Sequence, residues 1–285
     1  MRSDLLFFPV LLTILFLTSC SKSSSKESKK QYTQVTENKE QVDKNNNITL
    51  NYSNEIEGYQ VRVYWKPIQI RYSYVIGPAI LEFYNVNDST AFTLTSNHFS
   101  MLKSTLPFTY DEDSLEIKSF NNHNLTMPYK NIPLRSKSWD FESIYEPFFF
   151  ADINFDKKKE LLITEADQGQ RGTVIYKVYN FTDSNVSNEF EPSEMNTEPF
   201  NSLDGYSEID YASKSIIINN SNGACSSWQD IYKLQTIKNE DKPPFLALSN
   251  IKASQYDEVT GICYELRYEV INNQKHLVSK REVKE

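Results

Sequence analysis

Apolar and polar residues alternate with a period of two at several places along this 285-residue chain. In the clearest case Tyr59, Val61, Val63 and Trp65 are separated by Gln, Arg and Tyr, and residues 264–270 repeat the pattern near the end of the chain. A period of two is typical of a strand with one buried face. The chain is therefore predicted to be all-β.

Other stretches are also predicted to form strands, and turn signals such as Thr260-Gly261 separate them. These stretches are residues 69–75, 79–84, 115–120, 173–180, 215–219, 231–235 and 276–283. The best helical spacing, over residues 97–103, is short. Many short strands with frequent turns predict a sandwich, a barrel or a propeller.

The start of the chain has the features of a bacterial lipoprotein. Arg2 precedes a short apolar run, and the run ends in Leu17-Thr18-Ser19-Cys20, which matches the lipobox. This run has fewer than the roughly 20 apolar residues that a membrane-spanning helix needs. Residues 1–19 are therefore predicted to be a signal peptide, and Cys20 the acylated first residue of the mature protein, anchored in the membrane through its lipid.

Residues 20–47 are polar and are predicted to form a flexible tether. Residues 48–285 are then long enough for a single β domain. Ser21 is not an acidic retention signal, which favours the outer membrane, facing the periplasm or the cell surface.

An acidic loop lies between two apolar runs in residues 148–164. Asp152, Asn154, Asp156 and Glu160 supply side-chain oxygens, and the Lys158 carbonyl fills the remaining position. Oxygen donors at every second residue of a tight loop converge on one point, as calcium requires. The loop is therefore predicted to bind structural calcium.

Two alternatives exist to a calcium loop that connects two strands. An EF-hand needs glycine at its sixth position and glutamate at its twelfth, but those positions hold Lys157 and Ile163. A solvated hairpin that binds nothing remains open. A left-handed turn at Lys157 would be strained, and three consecutive lysines weaken any cation site.

Residues 148–181 resemble the variant FG-GAP repeat of calcium-binding, propeller-like bacterial lipoproteins, in which an aspartate-rich loop precedes a strand and a glycine-containing turn. The turn here covers residues 167–172, and the resemblance continues through residues 216–234 to the final cysteine strand. It implies a propeller-like or related multi-sheet β architecture. Because one member of that family inhibits a lysozyme-like toxin, it also implies a cell-wall hydrolase as a protein partner.

Two cysteines, Cys225 and Cys263, remain besides Cys20. In the oxidising compartment that a lipobox indicates, such a pair favours a disulfide over two free thiols. Neither cysteine has histidines at zinc-site spacing.

Signals for catalysis are sparse, so the chain is predicted not to be an enzyme. Its three histidines lie in no metal or nucleophile motif, and no P-loop, Rossmann glycine pattern or serine elbow is present. A glycosidase carboxylate pair leaves no local motif and stays open. A net charge of −8 argues against nucleic acid and favours a basic partner.

Two functions follow as hypotheses. The first is a lipid-anchored envelope binding protein that inhibits a lysozyme-like hydrolase through exposed loops, with Arg171 and Trp228 as interface anchors. For Trp228, a core aromatic beside the disulfide is the alternative. The second is a surface lipoprotein for glycan binding or envelope assembly, in which aromatic clusters stack on sugars.

Overall fold

The computed structural model of the protein describes residues 48–71, 73–87, 91–106, 124–129, 139–140, 146–166, 174–180, 192–223, 225–236 and 244–283. Several predictions lie outside these ranges: the signal peptide, Cys20, the tether, the strand at 115–120, the turn at 167–172 and Arg171.

Within the described ranges the chain forms seventeen strands and two short 3-10 turns, at Lys103–Thr105 and Phe200–Ser202. The strands are β1 Ile48–Tyr52, β2 Tyr59–Trp65, β3 Gln69–Arg71, β4 Tyr74–Asn85, β5 Ala91–Leu102, β6 Asn124–Met127, β7 Trp139–Asp140, β8 Phe148–Ala151, β9 Glu160–Ala166, β10 Val174–Asn180, β11 Ser193–Glu194, β12 Glu208–Asp210, β13 Ser215–Ser221, β14 Ser226–Gln235, β15 Phe245–Asp257, β16 Ile262–Ile271 and β17 Gln274–Glu282.

These strands build two sheets. Sheet A has ten strands in the order β11-β10-β9-β5-β4-β2-β1-β6, with β3 added beside β4 and β8 beside β9. Sheet B has seven strands in the order β17-β16-β15-β14-β13-β12-β7. The predicted all-β, multi-sheet architecture is confirmed. The expected forms were a propeller and a related multi-sheet architecture. The multi-sheet form describes the chain, because sheets of ten and seven strands differ from the four-stranded blades of a propeller. The described residues contain no helix of the length and apolarity that crossing a membrane requires.

The alternation in β2 sets the face that β2 buries. Val61, Val63 and Trp65 are buried, while Gln60 and Arg62 are exposed. Trp65 contacts Phe99 of β5 edge to face, with ring centroids 5.8 Å apart. The sequence prediction for this strand is confirmed because burial of one face follows the period of two.

The helical spacing over residues 97–103 was too short to predict a helix. In the structure residues 97–102 form the end of β5, where Phe99 and Met101 pack in the core and pair with β4. Residues 69–75 and 79–84 were predicted as two strands, but β4 runs from Tyr74 through Gly77 to Asn85 with only a shift in its pairing to β5. A Cβ atom at Gly77 would lie 1.9 Å from the Lys66 carbonyl oxygen, so the close approach of the chain requires glycine here.

Two hydrophobic cores meet at β8 and β9. Phe148, Phe150, Leu161 and Ile163 belong to the first core, which they share with β1, β2, β4 and β5. Phe149, Ala151, Ile153 and Leu162 belong to the second core, between β10 and the β12–β14 part of sheet B. Strands buried on both faces read as continuous apolar runs, which is what the sequence shows on either side of the acidic loop.

The far end of sheet B lies beyond the second core. All nine residues of β17 are exposed, and β16 is mostly half-buried. A disulfide joins Cys225, just before β14, to Cys263 in β16, with the two Cα atoms 6.0 Å apart. The predicted disulfide is confirmed, and it ties together the strands of this exposed region.

Candidate functional site

The acidic loop connects β8 to β9 at the junction of the two cores. It begins after Ala151 and ends at Glu160, and both of these residues are fully buried. Phe150 and Leu161 pack into one core, whereas Phe149 and Leu162 pack into the other. The ends of the loop are therefore held from both sides.

The loop turns through two residues in the left-handed region, Phe155 at φ 64° and Lys157 at φ 72°. The Lys157 N–H donates to Oδ2 of Asp152 at 3.1 Å. The Asp156 N–H donates to Oδ1 of Asn154 at 2.9 Å, and the Lys158 N–H donates to Oδ1 of Asp156 at 2.7 Å. Lys157 thus adopts the conformation that glycine supplies at the sixth position of an EF-hand loop.

Glu160 accepts hydrogen bonds deep inside the loop. Its side chain is 0% exposed, and its two oxygens accept from the Ile153 N–H at 2.9 Å and from Nδ2 of Asn154 at 2.7 Å. The same Asn154 nitrogen donates to Oδ2 of Asp156 at 3.1 Å. Asn154 therefore links the two carboxylates, while Asp152 accepts separately from the Lys157 N–H, and the predicted ligand set stays a prediction.

Burial raises the pKa of Glu160 to about 7, although the bond from Ile153 lowers it; the negative charges of Asp156 and Asp152 raise it further. Burial also raises the pKa of Asp152, against the lowering effect of the Lys157 N–H. Oδ1 of Asp152 is buried and has no hydrogen-bond partner among the described residues. Buried carboxylates with an unsatisfied oxygen are costly without a positive partner.

Sequence reasoning missed Tyr211, which follows β12 in sheet B. Its ring contacts Phe155 of the loop edge to face, with centroids 5.8 Å apart. Its hydroxyl is buried without a hydrogen-bond partner in the described ranges, and burial and the charges of Asp152 and Glu160 raise its pKa. No local motif could reveal it, because the turn of sheet B brings it to the loop.

The loop residues fit calcium by donor type, since a hard cation takes oxygen ligands from carboxylates, amides and carbonyls. The unsatisfied Asp152 oxygen and the raised pKa of Glu160 both mark a place where positive charge would be stabilising. In the part of the chain that the structure describes, no three His, Cys, Asp or Glu side chains are arranged to hold a metal ion. The Asn154 amide nitrogen provides the positive contact between Asp156 and Glu160 instead.

Trp228 lies in β14 and is half-buried. It pairs with Asn220 of β13 and Ala253 of β15. Strand alternation places its side chain on the opposite face from Ser227 and Gln229. On its own face, Ile218 and Tyr232 enter the second core, so Trp228 lies where that core ends.

Sheet B carries an open groove of about 800 Å³, and Trp228 is one of the residues that line it. Polar side chains line it: Tyr206, Glu208, Asn219, Gln229, Lys252 and Glu265. Nδ2 of Asn219 donates to the Tyr206 carbonyl at 2.6 Å and to Oε1 of Glu208 at 3.2 Å, and Nε2 of Gln229 donates to Oδ1 of Asn219 at 2.7 Å. The amides thus form a hydrogen-bonded row across two strands.

The fold and the site define a two-sheet β protein with an acidic loop at the junction of its two cores. No protein-family model and no curated protein matches the chain. A solved structure with a similar fold is that of a Xanthomonas protein described as related to a type IV secretion system. The TM-score is 0.51 at 12% sequence identity, over 83% of this chain and 96% of that chain. At that identity the likeness establishes a shared fold.

Proposed function

We propose that this protein is a lipid-anchored binding protein of the bacterial cell envelope, without catalytic turnover. The observation that carries the proposal is the fold shared with the Xanthomonas secretion-related protein over most of both chains. The lipobox at Cys20 supports it, because acylation would place the folded part at a membrane surface, by preference the outer membrane.

The proposed partner is a lysozyme-like cell-wall hydrolase that the protein inhibits. The chain carries a net charge of −8, so a basic enzyme is drawn to it electrostatically. The two cores would hold the scaffold rigid, so that exposed loops meet the enzyme without ordering cost. Arg171 and Trp228 are the proposed anchors at that interface.

Binding and inhibition can be measured together. The purified chain is titrated into a muramidase from the same envelope by calorimetry, while turnover of peptidoglycan is followed. Arg171→Ala and Trp228→Ala are each expected to weaken binding at least tenfold. The matched control is Tyr256→Ala, which removes an aromatic ring that is 53% exposed on another part of sheet B. Absence of binding, or peptidoglycan turnover by the protein itself, would overturn the proposal.

We further propose that calcium orders the β8–β9 connection and performs no chemistry. Asp152, Asn154, Asp156 and Glu160 would hold the ion, together with the Lys158 carbonyl. The support is the unsatisfied Asp152 oxygen beside the buried Glu160. Ion binding to the folded state stabilises it in proportion to the logarithm of ion concentration.

Thermal unfolding tests the calcium site. Calcium in excess is expected to raise the melting temperature, and Asp152→Ala with Asp156→Ala is expected to abolish that rise. The control pair, Glu55→Ala with Glu258→Ala, removes two exposed carboxylates and should leave the rise intact. A melting curve unchanged by calcium in the wild type would contradict the site.

A second candidate function is glycan binding in the groove of sheet B. The row of amides from Asn219 and Gln229 supplies donors and acceptors for sugar hydroxyls, and Tyr206 offers a partly exposed ring for stacking. Binding to a glycan array that Tyr206→Ala removes and Tyr256→Ala keeps would support this function. Array binding that is unaffected by Tyr206→Ala would contradict it.

A further inference from the structure

The outer edge of sheet B is the strand β17. It closes the strand order of the sheet, and its outer side pairs with no other strand in the described ranges. Every residue of β17 is exposed, including Leu277 at 54% and Val278 at 57%. An open strand edge with apolar side chains is a template for pairing with another extended segment.

The backbone groups on that edge can be assigned from one hydrogen bond. The Val283 N–H donates to the Cys263 carbonyl at 2.9 Å, which directs Val283 toward β16. Because alternate residues of an antiparallel strand bond to opposite neighbours, Lys280 and Glu282 direct their backbone groups outward. An incoming strand therefore has donors and acceptors to pair with that meet no strand of the described residues.

The side chains of β17 select the charge of that strand. Lys275, Lys280 and Arg281 outnumber Glu282, in a chain whose net charge is −8. On the inner side Glu265 of β16 lies opposite Arg281, with Nη2 and Oε2 3.9 Å apart, and Glu269 lies opposite His276. Leu266 lies opposite Lys280, and Lys280 Nζ is 3.8 Å from the centre of the Tyr264 ring. Opposite charges across a strand pair are stabilising.

In the self-paired register centred on Val278, a second copy of the chain is a poor occupant of this edge. Antiparallel pairing of β17 with itself, centred on Val278, would place Lys275 opposite Arg281 and His276 opposite Lys280. Like charges directly opposite each other are destabilising in a sheet. The same lysines that discourage self-pairing are complementary to an acidic strand.

We propose that the outer edge of β17 binds an extended acidic peptide segment of a partner protein as an additional strand of sheet B. Backbone hydrogen bonds supply the pairing, and Leu277 and Val278 supply apolar contacts to the peptide. Lys275 and Lys280 select acidic side chains over basic ones. This surface is separate from the acidic loop and from the groove.

The test uses the full-length chain in mild detergent and a fluorescent nine-residue peptide of alternating valine and glutamate, read by anisotropy. The acidic peptide is expected to bind, and a valine-lysine peptide of the same length to bind at least tenfold more weakly. Lys275→Gln with Lys280→Gln should weaken the acidic peptide about tenfold. The control pair Lys214→Gln with Lys233→Gln makes the same charge change elsewhere in sheet B and should have no effect.

Pairing through the backbone has its own readout. A valine-glutamate peptide with an N-methyl group on every residue keeps its charge but loses the backbone donors of both edges, and it is expected not to bind. Amide exchange of Lys280 and Glu282 should slow when the unmethylated peptide is added. Equal binding of the methylated or the lysine peptide, no binding at all, or self-association of the chain through β17 would each overturn the proposal.

Discussion

The β8–β9 hairpin and the β16–β17 hairpin use similar strands in opposite surroundings. Both faces of β8 and β9 are buried, one in each core, whereas β17 is exposed along its whole length. The central hairpin can therefore hold the fully buried carboxylate of Glu160 and the half-buried Asp152, because packing on both sides fixes its loop. The outer hairpin has little packing of this kind and leaves its backbone edge available.

The comparison shows that the strands that stabilise the fold by burial and the strand whose backbone edge is open to a partner lie in different parts of this chain. Side-chain burial stabilises the centre, while cross-strand pairs and the Cys225–Cys263 disulfide hold the outer strands. Four predictions test that division, from the largest expected effect to the smallest.

Removing an aromatic ring from the centre should cost most. Phe148→Ala is expected to lower the free energy of unfolding by about 3–5 kcal/mol, because Phe148 is fully buried and contacts Tyr52 and Phe83. Leu277→Ala in β17 is the control and should cost less than about 0.5 kcal/mol. Urea unfolding measures both. Equal costs would remove the distinction between the two hairpins.

The disulfide should matter next, and its effect should be concentrated in the outer strands. Its loop spans a sequence separation of 38, for which the chain-entropy model gives about 3–4 kcal/mol. Cys225→Ser with Cys263→Ser is expected to lower stability by that amount and to speed amide exchange in β15–β17 more than in β8–β9. The wild type treated with dithiothreitol should reproduce the loss. Faster exchange in β8–β9 instead would be the contrary result.

The pH dependence of stability should report on Glu160 when calcium is chelated. The native state holds the proton on Glu160 more tightly than the unfolded chain does, since the pKa rises from 4.5 to about 7 on folding. Stability should therefore fall by about 3 kcal/mol as pH rises from about 4.5 to above 7. Urea unfolding at pH 5 and pH 8 measures the fall, and Glu160→Gln should remove most of it. Stability that is flat or rising over this window in the wild type would be inconsistent with a buried, unpaired Glu160.

The smallest effect should come from relieving the backbone strain at Lys157 in the β8–β9 loop. Lys157→Gly is expected to stabilise the chain by about 1 kcal/mol, because Lys157 has a φ of 72° and glycine adopts that conformation without a Cβ clash. Lys158→Gly is the control, and there the added backbone freedom should leave stability lower or unchanged. Thermal unfolding of the two variants side by side decides the point. A gain at Lys158 and none at Lys157 would place the strain elsewhere.

Local sequence patterns predicted those structural features that depend only on residues close together in the chain. The alternation of residues 59–65 predicted β2, and the acidic loop predicted between two strands lies between β8 and β9, where Asn154 and Asp156 bond to each other. The bounds of the strands predicted at residues 69–75 and 79–84 were wrong, because Gly77 lets β4 continue past the backbone of Lys66, which follows β2. Tyr211 was missed because its contact with Phe155 depends on how sheet B packs against the loop, and neither the loop sequence nor the sequence around Tyr211 indicates that packing.

The strand order of sheet B has a consequence for how the chain assembles. From β12 to β17 each strand lies beside the next one in sequence, so this sheet can grow one hairpin at a time. Sheet A is expected to form more slowly, because β5 pairs with β9 and β1 pairs with β6 across long separations in the sequence. Local pairing closes quickly and distant pairing slowly. We expect sheet A to set the folding rate, although its first strand is made long before sheet B.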